Sequence, residues 1–149
     1  MAPLVAKSKG GFLISKIKQI QDRVFAKLLA EHGIDQFNSA QGRILFVLWD
    51  DDDIPISELA AKTGLAQTTL TSMLDRLEAS GHVRRTVAPG DRRKANIRLT
   101  DAARSLRGSY DAVSLRMNEI FYAGFTGGEI VAFEGELTRI LSNLTKKEQ

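Results

Sequence analysis

The chain has 149 residues, 43% of them hydrophobic, with 21 Lys or Arg against 18 Asp or Glu and no cysteine. That length sets a single domain able to bury a core, and the missing thiols exclude disulfide staples and cysteine-based peroxide sensing. No run reaches the roughly 18 apolar residues of a membrane span, and Ala2-Pro3-Leu4-Val5 lacks the form of a signal peptide, so a cytoplasmic protein with no membrane partner is expected.

Residues 1–10 are small and basic and are expected to fray. From Phe12 to Glu31, Leu13, Ile17, Ile20, Val24 and Leu28 form a helical stripe widened by Phe12, Ile14, Phe25 and Leu29. That stripe is wider than one neighbouring helix would cover, which predicts burial against a partner chain as well as the helix's own domain. Ser39 is expected to cap a helix over Ala40–Trp49, with Phe37, Ile44, Leu45, Leu48 and Trp49 as core. The run Asp50-Asp51-Asp52-Asp53 ends it, and Ile54-Pro55-Ile56 reads as a short strand.

The stretch 54–100 carries the chemistry. A helix is expected to open at Ser57 and to stop at Gly64, where a sharp turn needs left-handed backbone. Leu65 plugs the crossing to a second helix, Gln67 to Ser80, whose Leu70, Leu74 and Leu77 make one buried stripe. The opposite face shows Gln67, Thr68, Thr71, Ser72, Asp75 and Arg76, with Thr69 at its edge. Short polar groups near a helix N-terminus suit a major groove, where they reach base edges without clashing. Threonine is a mediocre helix former, so this face has no evident value for helicity. A strand over His82–Ala88 with Val83 and Val87 on one face, a Pro89-Gly90 turn, a tip of Asp91-Arg92-Arg93-Lys94 and a return strand Ala95–Leu99 follow. Between Arg84 and Arg98 six basic residues (84, 85, 92, 93, 94, 98) face one acid, Asp91. Arginine at such a tip suits a minor groove; Asp91 is expected to support the tip by pairing with Arg93 or accepting backbone N–H bonds. Helix, turn, helix and two-stranded ribbon make a winged helix-turn-helix.

Beyond the wing, Thr100 is expected to cap one long helix to about Tyr122, with Leu106, Tyr110, Val113, Met117 and Phe121 inward. Gly124-Phe125 breaks the chain, and Thr126-x-x-Glu129 is a capping box opening a last helix that carries Ile130, Phe133, Leu137, Ile140, Leu141 and Leu144. His32 and His82 have no neighbour at metal-ligand spacing, and no nucleophile, His–acid pair or nucleotide fingerprint occurs. No catalysis, metal or cofactor is expected.

ELAAKTGL, TLTSMLDRLEASGHVRR and PGDRRKANIRLT closely resemble the winged helix-turn-helix repressors of the MarR type, GDRR followed by LT being specific to that family among winged helices. The resemblance weakens outward through the chain. It implies a mainly α fold with a small β wing: one domain over 1–149, a DNA-binding lobe at 54–100, and dimerisation helices at 12–35 and 101–146. It implies Thr68, Thr69, Thr71, Ser72 and Arg76 on the recognition helix and Arg92 entering the minor groove from the wing tip; the polar face adds Gln67, and the basic field of the wing adds Arg84, Arg85, Arg93 and Lys94 as DNA-binding candidates. Two departures are Ala66, where the family usually has a capping serine, and Ala103, where it commonly has glycine.

The resulting expectation is a homodimeric regulator of double-stranded DNA, a repressor of a palindromic operator. Members of the resembled family release DNA when a small aromatic effector enters the crevice beside the dimerisation helices. Phe12, Phe25, Phe37, Phe46, Trp49, Tyr110 and Phe121 either line such a pocket or are ordinary core. The competing reading is a winged helix that docks an acidic protein and binds DNA only weakly.

Overall fold

The computed structural model describes residues 2–34 and 36–149, with Ala2, Pro3, Ala88 and Arg92 described as backbone alone. The chain divides into two compact units at Ser114/Leu115.

Where the sequence suggests a frayed start, residues 2–7 are helical. Helix α1 (Ala2–Lys7) is closed by the Ser8 hydroxyl, which donates to the Leu4 carbonyl at 2.7 Å. Helix α2 (Gly10–Glu31) follows. Its predicted stripe is helical, yet Phe12, Leu13, Ile14, Ile17 and Ile20 stay between 43% and 66% exposed in the single chain. Only the last turns dock on the core, through Leu29 and the partly buried Phe25 and Leu28.

Helix α3 (Ser39–Asp50) starts at the predicted cap itself, one residue earlier than expected. Asn38, not Ser39, closes its first turn: its Oδ1 accepts from the Gln41 N–H at 2.8 Å while Gln41 Oε1 accepts from the Asn38 N–H at 2.9 Å. This reciprocal pair satisfies two amides that the helix leaves orphaned. Ile44, Leu45 and Leu48 are fully buried, and the Trp49 indole N–H donates to the Ala103 carbonyl at 3.0 Å.

Strand β1 (Ile54–Pro55), helices α4 (Ile56–Thr63) and α5 (Gln67–Ala79), and strands β2 (Val83–Ala88) and β3 (Asp91–Leu99) form the middle of the chain. The three strands are antiparallel in the order β1-β3-β2, so the short run before α4 seals the free edge of β3. Ile56 belongs to α4 rather than to β1. Ser57, expected to cap α4, lies inside its first turn behind Pro55, and no side chain caps that helix. Gly64 adopts φ 71°, the left-handed turn expected between the two helices. Leu59, Leu70, Leu74, Leu77, Val83, Ile97 and Leu99 join the core, together with Met73, which a strict leucine stripe omits. Val87 is 64% exposed despite sharing the Val83 face, because β2 runs past the edge of the core there.

The acidic run turns out to be a junction. Asp50 meets Arg107 at 2.7 Å, Asp51 meets Lys62, and Asp52 meets Arg104 at 3.0 Å while accepting the Leu99 N–H at 2.9 Å. The Asp51 hydrogen bond lifts the Lys62 ammonium above its usual range. Asp53, at φ 57°, accepts from the Asn96 amide on β3 through its carbonyl and its Oδ1, both at 3.2 Å. Four consecutive carboxylates thus tie the end of α3 to α4, β3 and the segment after the wing.

That segment is not one helix. Thr100 caps α6 (Asp101–Arg104), and α7 (Arg107–Phe121) starts afresh after a tight turn in which the Leu106 N–H bonds back to Ala103 at 3.2 Å. Arg104 and Arg107, on either side of the break, both reach the acidic run. Tyr110 and Val113 are buried as predicted.

In the second unit, Thr126 and Glu129 form the expected capping box at the start of α8 (Gly127–Glu148). Phe121, Tyr122, Phe125 and Phe133 pack edge-to-face or tilted, and the Tyr122 hydroxyl donates to Glu134 at 2.7 Å. No α8 residue is fully buried, and Val131, Leu141 and Leu144 are at least 65% exposed.

Candidate nucleic-acid interface

The polar face of α5 emerges as predicted. Gln67, Thr68, Thr69, Thr71, Ser72 and Arg76 are all exposed, while Leu70, Met73, Leu74 and Leu77 hold the helix down from behind. Ala66 occupies the N-cap position in extended conformation, and no side chain caps the helix. Neither Gln67 nor Thr68 substitutes for the missing serine, so the first amides of α5 keep their donors free at the end where the helix dipole is positive.

The hairpin sorts its basic residues into separate places. Arg85 lies on the core face of β2, where its guanidinium bridges Asp75 at 2.8 Å and Glu78 at 2.6 Å, both on α5. It fastens the wing to the recognition helix instead of facing outward. The tight turn is Pro89-Gly90, and β3 begins at Asp91, four residues earlier than predicted. Ala88 pairs with Asp91 but Val87 pairs with Ala95, so Arg92, Arg93 and Lys94 lie in a bulge with no partner on β2. Asp91 Oδ1 accepts from the Arg93 N–H at 2.9 Å and from its guanidinium at 3.2 Å. Arg93 nevertheless keeps 91% of its side chain exposed, and Lys94 is exposed beside it. The Arg92 side chain, assigned above to the minor groove, lies outside the described residues. Arg84 faces the other side of the sheet, opposite Arg98.

His82 joins α5 to the wing. Its ring stacks edge-on against Phe37 with centroids 4.8 Å apart, its Nδ1 lies 2.7 Å from the Ser80 hydroxyl, and burial pushes the imidazole below its usual range.

The seven aromatic residues separate likewise. Phe25, Phe46 and Tyr110 line one cleft of about 300 Å³ between α2, α3 and α7, with Lys18, Asp22, Gly42, Arg43 and Ser114. Trp49 backs that cleft from the core, 4.9 Å from the Tyr110 ring. Phe37 is in the core beside His82, Phe12 is exposed on the free part of α2, and Phe121 belongs to the second unit. Burial raises the Tyr110 hydroxyl to a pKa of about 12. Among the described residues no group of three or more His, Asp or Glu side chains could hold a metal ion, and no helix is long and apolar enough to cross a membrane.

The sequence model of the MarR family matches residues 37–95, from the start of α3 into β3. The HTH-type transcriptional regulator YfiV of Bacillus subtilis is 31% identical over 110 residues, 72% of this chain and 69% of that protein. The chain belongs to the MarR family. TtmR of Methylorubrum extorquens, another HTH-type transcriptional regulator, is 40% identical over 91 residues, and the match spans 61% of this chain but only 45% of TtmR. Among solved structures, the C80S variant of Escherichia coli MarR complexed with operator DNA superposes with a TM-score of 0.79 at 26% identity, over 93% of this chain and 94% of that one.

Set against the family's pattern, the two departures have local consequences. Ala66 leaves α5 without a side-chain cap. Ala103 is fully buried, with its carbonyl receiving the Trp49 N–H, so its methyl group fills core volume. The clamping role of Arg85 was not visible in the linear sequence, although Asp75 and Glu78 carry a signal for it: two acids one turn apart on a helix whose next element opens with paired arginines.

Proposed function

We infer that this MarR-family protein is a DNA-binding transcriptional regulator that works as a homodimeric repressor of a palindromic operator. The observation carrying this reading is the exposed row Gln67, Thr68, Thr69, Thr71, Ser72 and Arg76, fixed to a basic wing through Arg85. In the reading, α5 enters the major groove with its uncapped N-terminus leading, and Arg92, Arg93 and Lys94 approach the flanking minor groove. A helix of this length reads few base pairs, so two copies about 34 Å apart are needed for a selective site.

Two apolar surfaces support the pair. The front of α2 and the length of α8 each expose large aliphatic side chains that a monomer leaves in water. Covering such faces is the office we assign to residues 12–35 and 101–146. The cleft lined by Phe25, Phe46 and Tyr110 is the effector site in this reading, with Arg43 at its mouth suited to an anionic group on an aromatic ligand.

The test is a fluorescence-anisotropy titration on DNA selected from a random duplex pool. Recovery of an inverted repeat bound by two protomers supports the reading. A pool that yields no consensus and a protein that binds all duplexes alike contradict it.

A further inference from the structure

The wing carries a second basic site on the face turned away from α5. Strand side chains alternate between faces. Val83, Ile97 and Leu99 point into the core and Arg85 reaches α5, so Arg84, Thr86 and Arg98 stand on the opposite face. Arg84 and Arg98 are direct cross-strand partners. Like charges placed so destabilise a sheet unless an opposite charge lies between them. No ion pair among the described residues includes either one.

Both arginines line a cleft of about 310 Å³ that is completed by Thr86, Leu99, Thr100, Asp101 and Arg104. Arg104 is already neutralised by Asp52 at 3.0 Å and Asp101 at 2.9 Å. Arg84 and Arg98 therefore remain as two guanidinium forks outside any ion pair, with the bidentate geometry that arginine offers to phosphate oxygens. The volume exceeds that of a bare phosphate and leaves room for the body of a small monoester. The cleft lies at the wing root, five residues or about 16 Å of strand from the Pro89-Gly90 tip.

We propose that Arg84 and Arg98 form a binding site for the phosphate group of a small molecule, separate from the surface that reads DNA. The ligand replaces the missing counter-charge between the strands and braces β2 against β3.

The experiment uses the full chain free of DNA, its amide NMR spectrum followed while inorganic phosphate is titrated at constant ionic strength against chloride. Saturable shifts at Arg84, Thr86, Arg98 and Thr100 are expected. Arg84→Glu should abolish them and still fold, since it places opposite charges across the strands; Arg98→Gln should abolish them as well. Shifts no larger than those with chloride, shifts centred elsewhere, or saturable shifts retained in Arg84→Glu would each overturn the proposal. A second arm measures DNA affinity against salt in phosphate-free buffer. The small-molecule site predicts an unchanged slope for Arg98→Gln, whereas a fall of about 0.9 in the log–log slope, the signature of one lost DNA-phosphate contact, would make the occupant DNA and overturn the assignment.

Discussion

The hydroxyl of Tyr110 stands over Gly42 so closely that a Cβ on that glycine would lie 1.9 Å from the oxygen and 3.2 Å from the ring carbon that bears it. Helix α7 can approach α3 at this point only because position 42 lacks a side chain, and the contact forms one wall of the cleft that Phe25 and Phe46 share. Gly42→Ala should therefore destabilise the fold by about 1–3 kcal/mol, the usual cost of overpacking. Tyr110→Phe in the same chain should return most of it by removing the overlapping atom. A double-mutant cycle in urea reads the coupling; additive effects would show that the ring swings aside freely.

Burial of Tyr110 also sets an alkaline limit. Its folded pKa of about 12 lies above the ordinary tyrosine value of 10.0. The neutral phenol is the form the fold accepts, so this contribution is fully present below pH 10.0 and is lost as pH rises toward 12. The loss is on the order of 2 kcal/mol at the upper end. Urea denaturation of wild type and Tyr110→Phe across that window should show a steeper decline for wild type. Parallel curves would mean that the hydroxyl ionises as easily folded as unfolded.

Arg85 should behave unlike the other wing arginines. Its ion pairs with Asp75 and Glu78 are partly exposed, so Arg85→Ala should cost no more than about 1 kcal/mol of stability. Operator affinity should fall because the wing loses its fixed angle to α5, while the salt dependence stays as in wild type. A slope reduced by about 0.9 would instead identify Arg85 as a phosphate contact.

Leu141 is 65% exposed on α8. If that face is covered by a second copy, Leu141→Glu should turn the dimer into a folded monomer, seen as half the mass by sedimentation with an unchanged far-ultraviolet spectrum. A dimer that persists would place the interface elsewhere.

Much of the fold is written in local patterns. The Leu70-Leu74-Leu77 stripe, the left-handed turn at Gly64, the capping box at Thr126 and the alternation of Ile97 and Leu99 are each set by residues within one or two turns of one another. The misassigned features depend on partners far along the chain or on competing local bonds. Asn38 and Ser39 are both good caps, and the choice follows from Gln41, which can answer Asn38 at the third helical position. The acidic run reads as a helix end in poor electrostatic company until Arg104 and Arg107, more than fifty residues away, arrive beside it. Those same two arginines mark where the helix after Thr100 breaks. In the site, the face of α5 follows from its buried stripe. The division of wing arginines into a clamp, a bulge and a cross-strand pair required the strand register, which a three-residue bulge shifts.

Base reading by the threonine-rich face of α5 underlies the proposed function. Binding of wild type and Thr71→Ala to the selected inverted repeat and to single-base variants of each half-site tests it most directly. Thr71→Ala should discriminate one position of the half-site less by about 1–3 kcal/mol, the worth of a direct base contact, with the salt slope and the two-protomer stoichiometry kept. Unaltered discrimination at every position, for Thr71→Ala and for the same change at Thr68 and Ser72, would contradict it.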